Sequence, residues 1–364
     1  MKSYRYARAK NEMNLIFNFF DAYSIKIYAN GVQEISKYFS REYFDYKCKN
    51  QKELPELGSI QIYKEIEVPK KSDVIIKNKL FFDNNKMYFK ERGNVVCIEV
   101  RQSSYTISVE CKFEPNIIFY IHEVLMRLYS TKYNLVFIHA SAFLYKSQLF
   151  VINAFGGTGK TNLVLDAIEH NGQYFSDDLC VIDRNNNVYP YTKCINLLDY
   201  NFEHNPELVS LCGKSKFLFK TMKLLAKFNG HSPLYRYFIH KVEWRIKRYF
   251  CCKLQYEKIK SPQKMEVRKV VSRFIWLERT LGKSTTYSPQ KQCVYSKMVH
   301  CLDLENRSYL DFYGYVKMCF PELSTLRKVQ NEIIKDIVES NDILGFKKGS
   351  EREHNFFEYL KANS

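Results

Sequence analysis

The chain of 364 residues lacks the patterns that would carry it into or across a membrane. No uninterrupted apolar run approaches the length needed to span a bilayer. The first stretch, MKSYRYARAKNEMNLIFNFFDAY, sets basic residues before an apolar patch, but Asn18 and Asp21 break that patch well short of a signal h-region. The 11 cysteines are odd in number and scattered; Cys251 and Cys252 are adjacent and no CxxC pair occurs. Zinc spacing and a disulfide framework are therefore both missing, and a reducing cytoplasm is the expected compartment. No repeat of fixed period runs through the chain. Acidic residues are in deficit, with 39 Asp and Glu against 56 Lys and Arg, giving a net charge of +17. A hydrophobic share of 46% is enough for a normal core, and 26% charged argues against disorder. The length allows two domains or one with large additions. The aromatic share of 16% is what an AT-rich genome would produce and receives no functional weight.

What the chain does contain is concentrated between Val136 and Asp183. Leu149 to Asn153 (LFVIN) has strand character and enters Ala154-Phe-Gly-Gly-Thr-Gly-Lys-Thr161, after which NLVLDAIEH takes on helical periodicity. Strand, glycine loop, helix is the context of a P-loop, the Walker A motif. Gly156, Gly157 and Gly159, with Thr158 between them, let backbone N–H groups form a concave nest for phosphate oxygens, and the helix N-terminus adds partial positive charge. In that reading Lys160 reaches the β- and γ-phosphates, Thr161 ligates Mg²⁺, and Asn162 completes the binding segment. Ala154 stands where the strict motif has glycine, a departure of one methyl group. The bland alternative is a glycine-rich turn before a helix.

His170-Asn171-Gly172 supplies a helix stop, and QYFSDDLCVID then reads as a strand with Asp177 and Asp178 at its centre. Adjacent charges inside an apolar strand are costly unless they meet a metal or a proton-transfer partner. The interval from Lys160 to Asp177 allows one loop, one helix and a return strand, which brings both carboxylates back beside the loop. A surface-turn Asp pair is the competing reading.

These residues resemble the catalytic domain of HPr kinase/phosphorylase and its HPr-kinase-like relatives. The glycine loop AFGGTGKT is followed at the family's short spacing by SDDL, and Ile138-His139-Ala140-Ser141-Ala142 is similar to the family's His-bearing strand. About fifty residues fit well, with looser echoes at YPYTKCINLL from Tyr189 and at RFIWLER from Arg273, reaching about Gly314. No equivalent of a Glu-Ile-Arg-Gly-type signature follows, so the resemblance implies the kinase half of that activity and not the phosphorylase or the HPr substrate. It implies an α/β P-loop kinase core using ATP and Mg²⁺, with Asp177 as the base and Thr161 and Asp178 in the metal environment. His139 would hold Asp177 or tune its protonation. A further cation is needed on the far side of the transferring group, and Lys193, Arg273 and Arg279 are candidates.

Around this core, residues 1–108 read as a β-rich accessory region, with turns at Asp83-Asn84-Asn85 and Arg92-Gly93-Asn94 and a helical stretch between Gly31 and Phe44. Glu114-Pro115 opens a helix in which His122 reads as packed rather than catalytic. The core spans 109–320, interrupted at 205–269 by a basic helical insertion. There Tyr235, Phe238, Ile239, Val242, Ile246, Tyr249 and Phe250 form an apolar stripe, with Arg236, Lys241, Arg245, Lys247 and Arg248 mostly off it. Such a segment can pack on the core, or meet an acidic acceptor, a nucleic acid or an anionic membrane. VVSRFIWLERTL reads as a returning strand, Ser288 to Cys301 as irregular or helical, and 321–364 as a tail with an amphipathic helix, a GFKKGS linker and a last helix.

The function expected is transfer of the γ-phosphoryl of ATP to a hydroxyl on a peptide, protein or small molecule. The alternative is a nucleotide switch or ATPase whose basic segment engages a polyanion.

Overall fold

The structure is a computed structural model that describes residues 15–28, 32–48, 54–69, 74–76, 80–83, 85–91, 93–198, 201–202, 205–218, 220, 252–255, 268–307, 314 and 320–349. The fold is mixed α/β, with several sheets and the helices packed between and upon them.

In the N-terminal region the edge strand Leu15–Phe19 alternates buried and part-exposed side chains, while Asn94–Val100 is buried on both faces, Val96 and Ile98 in the main core and Val95 and Cys97 in a smaller cluster with Ile66 and Tyr88. The region's elements are β1 (Leu15–Phe19), β2 (Tyr23–Tyr28), helix α1 (Gln33–Glu42), β3 (Glu56–Tyr63), β4 (Val74–Ile76), β5 (Leu80–Asp83), β6 (Lys86–Glu91), β7 (Asn94–Val100) and β8 (Tyr105–Glu110). They form one sheet in the order β1-β2-β3-β8-β7-β6-β5-β4. Strands β2, β3 and β8 run parallel, while the antiparallel β5-β6-β7 meander turns where Asp83 and Gly93 (φ +84°) foretold it. Helix α2 (Pro115–Tyr129) takes proline at its start, where the missing N–H costs nothing, and buries Ile118, Phe119 and Leu125 against this sheet and α1.

After a short 3₁₀ turn (Ser130–Tyr133) comes β9 (Leu135–Ile138). Its four apolar residues serve two cores: Leu135 and Phe137 join the N-terminal core, Val136 and Ile138 the core on the other side. A strand covered on both faces needs this unbroken apolar run. There follow β10 (Ala140–Tyr145), β11 (Gln148–Ala154), α3 (Lys160–Glu169), β12 (Gln173–Ser176), β13 (Cys180–Asp183), β14 (Asn187–Tyr189), β15 (Ile195–Leu197) and the single turn α4 (Leu208–Leu211). Beyond them are β16 (Cys252–Leu254), β17 (Lys269–Val270), β18 (Arg273–Arg279), β19 (Thr285–Tyr287), α5 (Lys291–Arg307), α6 (Pro321–Ser340) and β20 (Ile343–Lys348).

A six-stranded sheet, β12-β10-β11-β18-β20-β19, carries α3 and α4 on one face and α5 and α6 on the other. A four-stranded sheet, β17-β14-β13-β9, lies between this body and the N-terminal one. Two ladders nest in sequence: β14 pairs with β17, and between those strands along the chain β15 pairs with β16 as a separate two-stranded sheet. The chain between Leu197 and Cys252 is therefore bounded at both ends by one paired neck, and within it Phe202, Leu208 and Val209 still pack in the α3-side core. The apolar stripe from Tyr235 to Phe250, with Arg245, Lys247 and Arg248, lies outside the described residues.

Two expectations are corrected. QYFSDDLCVID is not one strand: β12 ends at Ser176, the chain turns at Asp177-Asp178 with Asp178 at φ +64°, and β13 begins at Cys180 in a different sheet. Turning there keeps two adjacent charges out of a strand buried on both faces. The supposed GFKKGS linker is mostly strand, since β20 runs parallel beside β18 within the six-stranded sheet. Gly345 does not make a turn; it makes room for the Tyr287 ring, whose Cε1 would lie 2.4 Å from an added Cβ. Helix α6, expected as an amphipathic helix of the tail, buries Ile333, Ile334, Ile337 and Val338 under the same sheet. The stretch 288–301, expected to be irregular or helical, lies mostly in α5. Among the described residues no helix is long and apolar enough to cross a membrane.

Candidate functional site

The chain crosses between the four-stranded and six-stranded sheets three times: at Val271-Ser272 between β17 and β18, and at two further places that lie side by side. His139 alone links β9 to β10, and 177–179 link β12 back to β13. Ile138 faces Cys180 on one side of the crossing, and Ala142 faces Ser176 on the other. Residues at a crossing belong to neither ladder, so their side chains are available to something outside both sheets. What reaches them here is the start of α3.

Strand β11 enters the glycine loop at Ala154, which pairs with Leu277 and buries its methyl group in the α3-side core. That is why alanine serves where the strict motif has glycine. Gly157 (φ +75°) and Gly159 (φ +100°) hold left-handed conformations that few other residues accept. The Thr158 hydroxyl closes the loop on the Phe155 carbonyl at 2.9 Å, and an added Cβ on Gly156 or Gly157 meets nothing within 4 Å. Lys160 is only 6% exposed: Nζ donates to the carbonyls of Ala154 (3.0 Å) and Phe155 (3.3 Å) and to His139 Nε2 (2.9 Å). Asn162 turns away from the loop, its buried amide oxygen accepting from Asn201 Nδ2 at 2.7 Å. Any part it plays in binding is therefore through its backbone.

The two carboxylates differ. Asp177 is 2% exposed and accepts from Ser141 Oγ (2.6 Å) and from Thr161 Oγ1 (3.0 and 3.3 Å). Burial, then the charge of Asp178, pushes its carboxyl up to about 6, against the hydroxyl bonds and Lys160. Asp178 is half-buried and accepts from Asn196 Nδ2 at 2.9 Å. Burial and the neighbouring Lys160 charge push His139 down to about 3, while Asp178 pulls the other way. The ring is thus neutral at pH 7, and the bond from Lys160 to Nε2 leaves its proton on Nδ1. Of the two parts expected of His139, holding Asp177 or tuning its protonation, the hydrogen bonds that hold Asp177 come instead from Ser141 and Thr161.

Behind His139 lies a buried ionic cluster that sequence reading missed. Glu123 accepts from Arg127 Nη2 (2.5 Å), Lys193 Nζ (3.3 Å) and the Tyr191 hydroxyl (3.0 Å). Burial opposes its charge, but Lys193 and Arg127 together hold it at about 2. Burial likewise works against Lys193, yet Glu123 and then Asp178 leave it raised. Both cations act on His139. The available signal was the spacing of Glu123 and Arg127, four apart on a helix that is otherwise apolar. Of the three cations expected near the transferring group, Lys193 adjoins the site but is tied to Glu123. Arg279 is exposed, two positions past the partner of Ala154. Arg273 is corrected: it pairs with Phe150 at the other end of β11, four residues or about 13 Å from the loop. His122 is structural, as expected, buried and bonded through Nδ1 to the Tyr105 hydroxyl at 2.9 Å.

No protein-family model and no curated protein matches this chain. What the corner can do is read from its own chemistry. Among the described residues no group of three or more His, Cys, Asp or Glu side chains is arranged to hold a metal by itself. Thr161 and Asp177 nevertheless offer hard oxygen donors side by side, which fits Mg²⁺, a cation usually shared between one or two protein oxygens, substrate phosphates and water.

Proposed function

We propose that this chain is a P-loop phosphotransferase of the HPr-kinase-like type, moving the γ-phosphoryl of ATP to a hydroxyl acceptor. The observation that carries the reading is the pairing of consecutive loop residues with the two crossings, Lys160 with His139 and Thr161 with Asp177. A glycine turn that merely preceded a helix would have no reason to meet a buried histidine and a buried carboxylate.

On this reading the loop N–H groups and the α3 N-terminus cradle the phosphates. Lys160 exchanges its bonds to the Ala154 and Phe155 carbonyls for phosphate oxygens, and neutral His139 takes no positive charge from it. Mg²⁺, held by Thr161 and Asp177, would supply charge neutralisation across the phosphates. The roles expected of the two carboxylates are exchanged. Asp177 is enclosed, with both oxygens accepting from hydroxyls, and is suited to the metal side. Asp178 is more accessible, sits beside the charge of Lys193, and is suited to take the proton from the acceptor hydroxyl. Arg279 stands at the outer end of β18, where an acceptor's negative charge could be met.

The test follows label from γ-labelled ATP into serine-containing peptides, free serine and small hydroxyl metabolites, beside phosphate release without acceptor. Label in an acceptor, lost in Lys160→Ala, supports transfer. Phosphate release alone, unchanged by every acceptor class, replaces this reading with the nucleotide switch or ATPase.

A further inference from the structure

Away from the corner, the fold brings a pair of cysteine thiols together. Cys212 follows α4 directly and Cys252 begins β16; the two are 40 positions apart in sequence, yet their sulfurs lie 2.9 Å apart. That is within about 1 Å of a covalent S–S bond. Neither cysteine sits on a loose end. Leu208 and Val209 bury α4 in the α3-side core, Leu254 buries β16 in the same core, and both cysteines pack at its edge, each partly exposed. The contact with Cys212 draws the Cys252 thiol down, burial opposes this, and the Lys214 charge helps it.

We propose that Cys212 and Cys252 form a thiol–disulfide exchange site whose substrates are low-molecular-weight disulfides. The Cys252 thiolate attacks one sulfur of the small disulfide and expels the other as a thiolate, leaving a mixed disulfide on Cys252. The Cys212 thiolate then attacks the Cys252 sulfur and expels the second small thiolate. Two protein thiols lose two protons and two electrons in all, and one small disulfide becomes two thiols. The product is an intramolecular bond across the neck that carries the insertion. Cys252 pairs with Leu197, the neighbour of Asn196, whose amide holds Asp178. Bond formation therefore fastens the strand beside that carboxylate. The proposal does not depend on phosphoryl transfer.

The reduced full-length chain is equilibrated with glutathione and glutathione disulfide at graded ratios, quenched with a maleimide and mapped by peptide mass spectrometry. The expected result is a joined Cys212–Cys252 peptide pair that grows as the ratio becomes oxidising and disappears with dithiothreitol. Adjacent Cys251 is separated by variants: the link persists in Cys251→Ser and is lost in Cys212→Ser and Cys252→Ser. Alkylation of both cysteines at every ratio, accumulation of mixed disulfides without cyclisation, or a link that survives Cys252→Ser overturns the proposal. The wild-type mapping stands alone should any variant fold poorly.

Discussion

The N-terminal body and the loop-bearing body each bury a histidine, and in both the imidazole is pushed down to about 3. The causes differ. His122 lies among the rings of Phe39, Tyr43 and Phe119; burial is the force acting on it, and the neighbouring Glu123 works the other way. His139 is displaced by burial and by three cations, Lys160, Arg127 and Lys193. A displaced histidine therefore reports enclosure in one region and a charged site in the other. The second points to chemistry more than the first, because His139 also bonds directly to a lysine of the glycine loop, whereas His122 bonds to a tyrosine hydroxyl.

The strongest way to sharpen this contrast is Lys160→Ala. On the proposed function, transfer falls by about three orders of magnitude, since a charge aimed at the phosphates is gone. His139 should also titrate higher once that cation is removed, while His122 stays where it is. A proton NMR titration reads both rings in one sample, and undiminished transfer in this variant would refute the P-loop assignment.

Glu123→Ala tests the buried ionic cluster. Removing the shared acceptor leaves Arg127 and Lys193 enclosed without their counter-charge, at an expected cost of about 3–5 kcal/mol in denaturant melts. In the N-terminal sheet, Glu99 pairs with Lys86 and Arg101 on a partly exposed face. Glu99→Ala should cost about 1 kcal/mol or less. Equal losses in the two variants would remove the distinction between the regions.

The carboxylates separate next. Asp178→Asn should lower transfer by roughly two orders of magnitude with Mg²⁺-dependent nucleotide binding retained, the usual scale for losing a general base. Asp177→Asn should instead weaken that binding, as measured by calorimetry with a non-hydrolysable analogue. The reverse pattern returns the base to Asp177.

The last contrast is read as a slope. Because His122 has a folded pKa of about 3, below its ordinary value near 6.5, the unfolded chain binds its proton first as pH falls. Its contribution to stability is complete above pH 6.5 and is lost between there and about pH 3, by up to about 1.4 kcal/mol per pH unit. His122→Phe should be less stable at pH 7 by about 1 kcal/mol, with the Tyr105 hydroxyl left unbonded, and flatter across that acid range. An unchanged acid slope would show that His122 protonates in the folded state.

The glycine loop was legible because glycines, lysine and threonine at fixed spacing have few other uses; α2 was legible from the proline that opens it and α3 from its periodicity. Asp177 and Asp178 were found as residues but placed within a continuous strand. Nothing local marks a chain that leaves one sheet for another, since Phe175 and Cys180 are equally apolar on either side. Strand β20 was missed for a related reason: glycine followed by lysines suggests a turn, and only the Tyr287 ring, brought in from β19, gives that glycine another purpose. The Glu123, Arg127 and Lys193 cluster joins residues up to 70 positions apart, and that contact is settled by the packing of α2 against the chain after β14. Arg273 was misplaced because a strand's sequence does not say which of its ends faces the loop.

The nested ladders β14·β17 and β15·β16 have a consequence for how such a chain can change over generations. A segment that departs and returns through one clasp can be lengthened, shortened or exchanged without reordering a single strand behind it, and loop closure penalises added length only slowly. Phe202, Leu208 and Val209 are rooted in the core, so the interchangeable part begins only after α4. Its two ends are then Cys212 and Cys252, and a change of length between them leaves the order of the strands and the glycine loop as they are.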